Sequence, residues 1–368
     1  MKVGSIFLGN RRTVKPLFVG SNGNELTRGI YAMQVDVNNG EFLKKGHFRS
    51  LGNPISMVRK ERFVFICYKN HTGTSSDGGV GQYAAMDMQF GLTAKSNNEG
   101  KTYNHTFANN EGTYVYAVDY YNGEVVTIDV YKRKITRVLH TVKHVGSGPV
   151  AKRQDEAHPC YINQTPDSKR IFVCDLGMDE VVLYTANEDG SLVKDEENSF
   201  KVTPGSGPRK MIFSKNGQYA YLLNELSSTL CVYKYEDCKF TLIKELDTYY
   251  KEDYEDANLG GDIVMTNNGK YLFVSNKGYD SVRLYEINQE TGELKFVEDI
   301  DTDENPTALW IINDRWLIVA AQKGGSLESF EIKEGERKGI LFETHFSYML
   351  PEPTCIVDGN NLGDKEDE

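Results

Sequence analysis

The sequence predicts an all-β protein: a seven-bladed β-propeller with four antiparallel strands per blade, its ring closed by N- and C-terminal strands that share a blade. Three observations predict it. An apolar run, a small or polar residue, a turn and a second apolar run recur along the whole chain. Aligned at Ser21, Tyr68, Asp119, Asp175, Asn224, Asn276 and Ala321, the copies stand 47, 51, 56, 49, 52 and 45 residues apart, which gives units of about 50 residues. Each unit divides into short segments of period two, and helical periodicity never persists for three turns.

The clearest copies are IFVCDLGMDEVVLY from Ile171, AYLLNELSSTLCVY from Ala220 and YLFVSNKGYDSVRLY from Tyr271. Weaker ones begin at Tyr114 and Trp316, and two divergent ones at Leu17 and Phe63, the latter with a Gly/Ser insertion before Tyr83. In the unit from Arg209, RKMIFS, YAYLLN, TLCVYKY and FTLIKEL read as half-buried strands, and KNGQ, ELSS and EDCK as the turns between them. A solenoid repeat is usually shorter, and a pair of sandwiches need not repeat at all. The C-terminal segment FSYMLPEPTCIV (residues 346–357) reads as the inner strand of a blade whose outer strands come from residues 17–48, a latch that leaves no open sheet edge. The expected domain is therefore residues 1–357, with 358–368 an acidic flexible tail.

Composition bounds the partners. Across 368 residues, 42 basic against 53 acidic side chains leave a formal charge of −11, which argues against nucleic acid or an anionic membrane surface. No apolar run approaches 18 residues, and the first ten residues lead into Arg11 and Arg12 without a small-residue cleavage site, so neither a spanning helix nor a signal peptide is expected. Cys67, Cys160, Cys174, Cys231, Cys238 and Cys355 show no metal spacing and read as free thiols of a reducing cytoplasm. The glycine-rich stretch SSDGGVGQ (residues 75–82) lacks a following Lys and helix, so it is no phosphate loop. No metal and no organic cofactor is expected.

The blade geometry selects candidate residues. The start of strand one and the end of strand two of each blade lie on one rim, around the mouth of the central channel, where ligands prefer to bind. Strand-one starts contribute His158 with Cys160, Arg209 and Asp262; strand-two ends contribute Asp175-Leu176, Asn224-Glu225, Asn276-Lys277 and Ala321-Gln322. His158, Arg209, Glu225 and Lys277 thus share a rim over four adjacent blades, and an imidazole, a carboxylate and two cations together can bind an anion and move protons. Each also has a plainer reading. Glu225 beside Ser227 and Ser228 could order its own turn, Arg209 could pair with a blade carboxylate, and His158 before Pro159 could be structural. The repeated Asp119, Asp175, Asn224 and Asn276 read as turn caps.

At these residues the chain resembles the seven-bladed lactonase family, which includes bacterial 6-phosphogluconolactonases and fungal carboxymuconate-lactonising enzymes. The resemblance is carried by GSGPRKMIFSKNGQYAYLLNELSSTLCVY (residues 205–233), RQDEAHPCYINQTPDSKRIFVCDLGMDEVVLY (153–184), YLFVSNKGYDSV (271–282) and PEPTC (351–355). It implies catalysis by Glu225, Arg209 and His158, with Lys277, Arg153, Cys160, His105 and Asp262 holding substrate. The chain departs from the pattern where relatives carry a second His (here Cys160), an Arg in an NRG motif (Lys277) and an Arg after Pro306 (Thr307). Lys keeps the charge but not the bidentate fork. The implied activity is hydrolysis of a sugar-acid lactone, foremost 6-phospho-D-glucono-1,5-lactone, by a monomer or homodimer acting on a small anionic substrate. Carboxymuconate cycloisomerisation and a non-catalytic ligand-binding or interaction propeller are the alternatives.

Overall fold

A computed structural model describes residues 13–359 except 71–77, 87, 99–100, 251, 253, 255, 335–339 and 342–344. Seven antiparallel sheets radiate from one axis, six of four strands and one whose outermost position is divided between two short strands, Leu192–Lys194 and Phe200–Lys201. Blade one takes its innermost strand from the C-terminus (Pro353–Asp358) and its other three from the N-terminus (Val14–Ser21, Gly29–Asp36, Phe42–Phe48). The innermost strands of blades two to seven are Asn53–Lys60, Tyr103–Ala108, Pro159–Gln164, Pro208–Phe213, Leu259–Met265 and Pro306–Ile312.

The closure has the expected origin but a different strand. Residues 346–357 are not one strand: His345–Met349 is the outermost strand of blade seven, and the chain then crosses to the axis to begin Pro353–Asp358. Pro351 lacks the N–H a ladder needs, and Glu352 adopts a positive φ of 44°, so the segment must break there. The tail from residue 360 and the first 12 residues lie outside the described residues.

The core is divided into seven wedges, one between each pair of neighbouring blades. In the second strand of blade five, Tyr219, Tyr221 and Leu223 pack toward blade six while Ala220 and Leu222 pack toward blade four. That strand, Tyr219–Asn224, is buried at every position, so it is not half-buried as its period suggests. Stacked blades cover both faces of an inner strand, whereas the outermost strand Lys239–Asp247 is largely exposed. The glycine-rich stretch contributes to a strand, Gly78–Met86, in which a Cβ on Gly78 or Gly79 would collide with a backbone carbonyl, that of Tyr68 or Ser96. Of the strand-end residues the two Asp cap turns: Asp119 accepts from the amides of Tyr121 (3.1 Å) and Asn122 (3.0 Å), and Asp175 from those of His158 (2.8 Å) and Met178 (3.0 Å), whereas Asn224 Nδ2 donates to Thr229 Oγ1 (2.9 Å) and Asn276 Nδ2 to the Thr248 carbonyl (2.7 Å).

Candidate active site

Each innermost strand carries a β-bulge near its start. The pairing register skips Thr354, Ile55, Asn104, Cys160, Arg209 and Thr307 in blades one to five and seven, and the pair Gly261-Asp262 in blade six. A bulge turns two successive side chains to the same side of a strand. Accordingly the bulged residues and the residues that follow them, including His105, Tyr161, Lys210, Asp262 and Ala308, together line one pocket of about 490 Å³ on the axis.

Glu225 enters this pocket from the turn after Asn224 and is almost wholly buried, at 5% exposure. Its backbone is fixed on both sides, its N–H donating to Gly207 O at 2.7 Å and its carbonyl accepting from Gly260 N at 3.0 Å. Gly207 takes φ +62°, a conformation that spares the turn the strain a Cβ would bring, before Pro208 sets Arg209 on the bulge. Arg209 Nη1 pairs with Glu225 Oε2, and Arg209 Nε donates to Gly261 O. Gly261 has no room for a Cβ, which would lie 2.6 Å from Pro306 O. The other carboxylate oxygen, Oε1, accepts from Arg153 Nη2 at 2.6 Å. Lys277 Nζ stands 3.9 Å from Oε2. Burial alone would raise the Glu225 carboxyl, but Arg209, Lys277 and Arg153 outweigh it and hold it down at about 2. Burial, with Arg209 and Arg153 acting against Glu225, pushes the Lys277 ammonium down to about 8. Three cations around one carboxylate give the cluster a net charge of +2 at neutral pH, an arrangement suited to an anion.

The structure brings together Glu225, Arg209, Arg153 and Lys277 and sets Cys160, His105 and Asp262 in the same pocket, although Lys277 does not line the pocket itself. The single S–H of Cys160 has the carbonyls of Cys174, Pro208 and Arg209 within reach at 3.3–3.4 Å and donates to one of them, and burial pushes the thiol up to about 12, so it stays protonated. His158 is placed elsewhere. Its ring stacks on Tyr120 (centroids 4.3 Å apart, 7° between planes), and its Nδ1–H donates to the Tyr120 carbonyl at 2.9 Å. Tyr120 lines the pocket and His158 does not. Sequence reasoning missed Tyr120, whose hydroxyl interacts with Arg153, each favouring the charged form of the other. The signal was available: Tyr120 follows Asp119 as Glu225 follows Asn224 and Lys277 follows Asn276. Thr354 and Ile55 were also missed, and a proline immediately precedes five of the seven bulges, including both of these.

Comparisons agree with this architecture. Residues 16–357 match the family model described as lactonase, seven-bladed β-propeller. The 6-phosphogluconolactonase of Bacillus subtilis is 28% identical over 349 residues, which cover 92% of this chain and 97% of that one. The solved structure of the Pseudomonas aeruginosa periplasmic gluconolactonase superposes with a TM-score of 0.85 at 22% identity, covering 94% of this chain and 99% of the other. A Lactobacillus plantarum protein gives a TM-score of 0.84 at 23% identity with the same coverage. At those identities the two structures speak for the fold.

Proposed function

The chain belongs to the seven-bladed β-propeller lactonase family, and on that premise we propose that it hydrolyses a sugar-acid lactone, foremost 6-phospho-D-glucono-1,5-lactone to 6-phosphogluconate. One observation carries the reading: a buried carboxylate clamped by Arg209 and Arg153, with Lys277 close by, at an axial pocket large enough for a phosphorylated sugar lactone. The name of the Bacillus subtilis relative supports the choice of substrate. The arriving anion engages Arg153, the most exposed member of the cluster, while Lys277 contributes its positive charge without lining the pocket. Drawing Arg153 away frees Glu225 Oε1 and restores basicity that the two guanidinium groups otherwise suppress. Water then attacks the lactone carbonyl carbon while Glu225 takes its proton. Arg209 Nη2, which neither Glu225 nor Gly261 uses, stabilises the negative charge developing on the carbonyl oxygen. The ring C–O bond breaks, and the proton on Glu225 passes to the departing ring oxygen. His158 acts at one remove, holding Tyr120 and through it Arg153. The setting is the cytoplasm, where a reducing medium suits six unpaired cysteines.

The test is acid release from a panel of phosphorylated and neutral lactones by protein dialysed against EDTA, set against the buffer background. Turnover of the phosphorylated aldonolactone above background, with kcat/KM exceeding that for the neutral one, is expected. No lactone hydrolysed faster than in buffer would overturn the reading.

A further inference from the structure

The residues after the bulges form a second ring below the Glu225 cluster, and this ring is lopsided. Blades three to six contribute His105, Tyr161, Lys210 and Asp262, all polar; blades seven, one and two contribute Ala308, Cys355 and Ser56, all small. The pocket therefore has one hydrogen-bonding wall and one wall that leaves room.

The polar wall is prearranged. Asp262 accepts from Lys210 Nζ (2.7 Å) and Ile263 N (2.8 Å) on Oδ1 and from Leu309 N (2.9 Å) on Oδ2, which ties it to blades five, six and seven. Lys210 gives one of its three N–H groups to that bond. His105 Nδ1 accepts from Ile162 N at 3.5 Å, and the ring stands 4.3 Å from that of Tyr161. Burial, aided by Lys210, pushes His105 down to about 3, so the ring is neutral and carries its proton on Nε2. Tyr161 Oη accepts from Asn163 Nδ2 at 3.1 Å, which keeps its own proton for donation. Lys210 and Asp262 cancel in charge. A neutral set that offers both donors and a carboxylate suits hydroxyl groups, which donate and accept, whereas the net positive cluster above it suits the anion.

We propose that His105, Tyr161, Lys210 and Asp262 form a hydroxyl-recognition subsite that selects polyhydroxylated lactones, holding the sugar ring against the small wall with its charged substituent up at Arg153. The identity of the ligand class rests on the lactonase reading; the subsite itself is read from the wall.

The experiment uses binding, so it does not depend on turnover. Calorimetry compares 6-phosphogluconate with 6-phosphonooxyhexanoate, which has the same two anionic ends and chain length but no hydroxyls. The intact protein is expected to favour the hydroxylated ligand by about tenfold or more, and His105→Leu and Lys210→Met each to cut that ratio by about tenfold. Thermal unfolding of each variant checks its fold, and His105→Leu carries the test if Lys210→Met does not fold. An unchanged ratio in a folded variant, or no preference in the intact protein, overturns the proposal. If the preference is present and falls in the variants while no lactone is hydrolysed, the subsite stands and the lactonase reading fails.

Discussion

Replacing Glu225 with glutamine tests the charged cluster and the proton transfer at once, and the two effects separate by pH. The carboxyl is held at about 2 against an ordinary 4.5. A difference of that size between folded and unfolded states corresponds to about 3 kcal/mol of stability. Because the folded value is depressed, the stabilisation is complete above pH ~4.5 and is lost as pH falls toward 2. Glutamine mimics the protonated acid, so the variant should be about 3 kcal/mol less stable than the parent at pH 7, and the gap should shrink to less than half at pH 3. Urea unfolding of both proteins at the two pH values measures it. In the folded variant at pH 7, kcat should fall on the order of 10²-fold, because the amide cannot accept the proton of the attacking water. The kcat/KM profile of the parent should show no acid limb near pH 4.5, since in the free enzyme Glu225 stays ionised well below it. A stability gap of equal size at pH 3 and pH 7 would refute the electrostatic account, and near-normal kcat in a folded variant would remove Glu225 from proton transfer.

For the phosphorylated lactone, kcat/KM should decline as pH rises through about 8, where Lys277 loses its charge; Lys277→Arg should carry the decline to higher pH, and Lys277→Ala should raise KM more than it lowers kcat. A pH profile identical in the Arg variant would show that another group titrates. His158→Phe preserves the stack on Tyr120 and should keep KM within a few-fold, whereas His158→Ala frees Tyr120 and Arg153 and should raise KM about tenfold; a His158 that contacts the substrate directly would instead lose kcat in both variants. Cys160, with its thiol up at about 12, should not react with iodoacetamide at pH 7.5, and peptide mass analysis showing rapid alkylation there would contradict a thiol held protonated.

The sequence by itself determined the ring of seven blades, its closure by the N-terminal strands, and the membership of Arg209, Glu225 and Lys277 in one rim. These follow from a repeat length and a local period, and strand order within a repeated unit is a local property of the chain. Applied to every unit, the same repeat would have given Tyr120 as well. Tertiary structure alone decided the rest. The turn at Pro351-Glu352 divides one apolar segment between two blades, because the last strand must reach the axis to pair with Val14–Ser21. The bulges, which require the neighbouring strand's register, turn His105 and Lys210 into the pocket beside Asn104 and Arg209. His158 is near the rim as its position implies, yet it stacks on the Tyr120 ring from the adjacent blade, and Tyr120 rather than His158 lines the pocket. The charge state of Glu225 is likewise invisible in the chain: Arg153 lies 72 residues away and Lys277 52, and only their approach to within 2.6 and 3.9 Å makes a buried acid a stable anion. Coulomb energy depends on distance in space and on the exclusion of water, and neither is written in the order of residues.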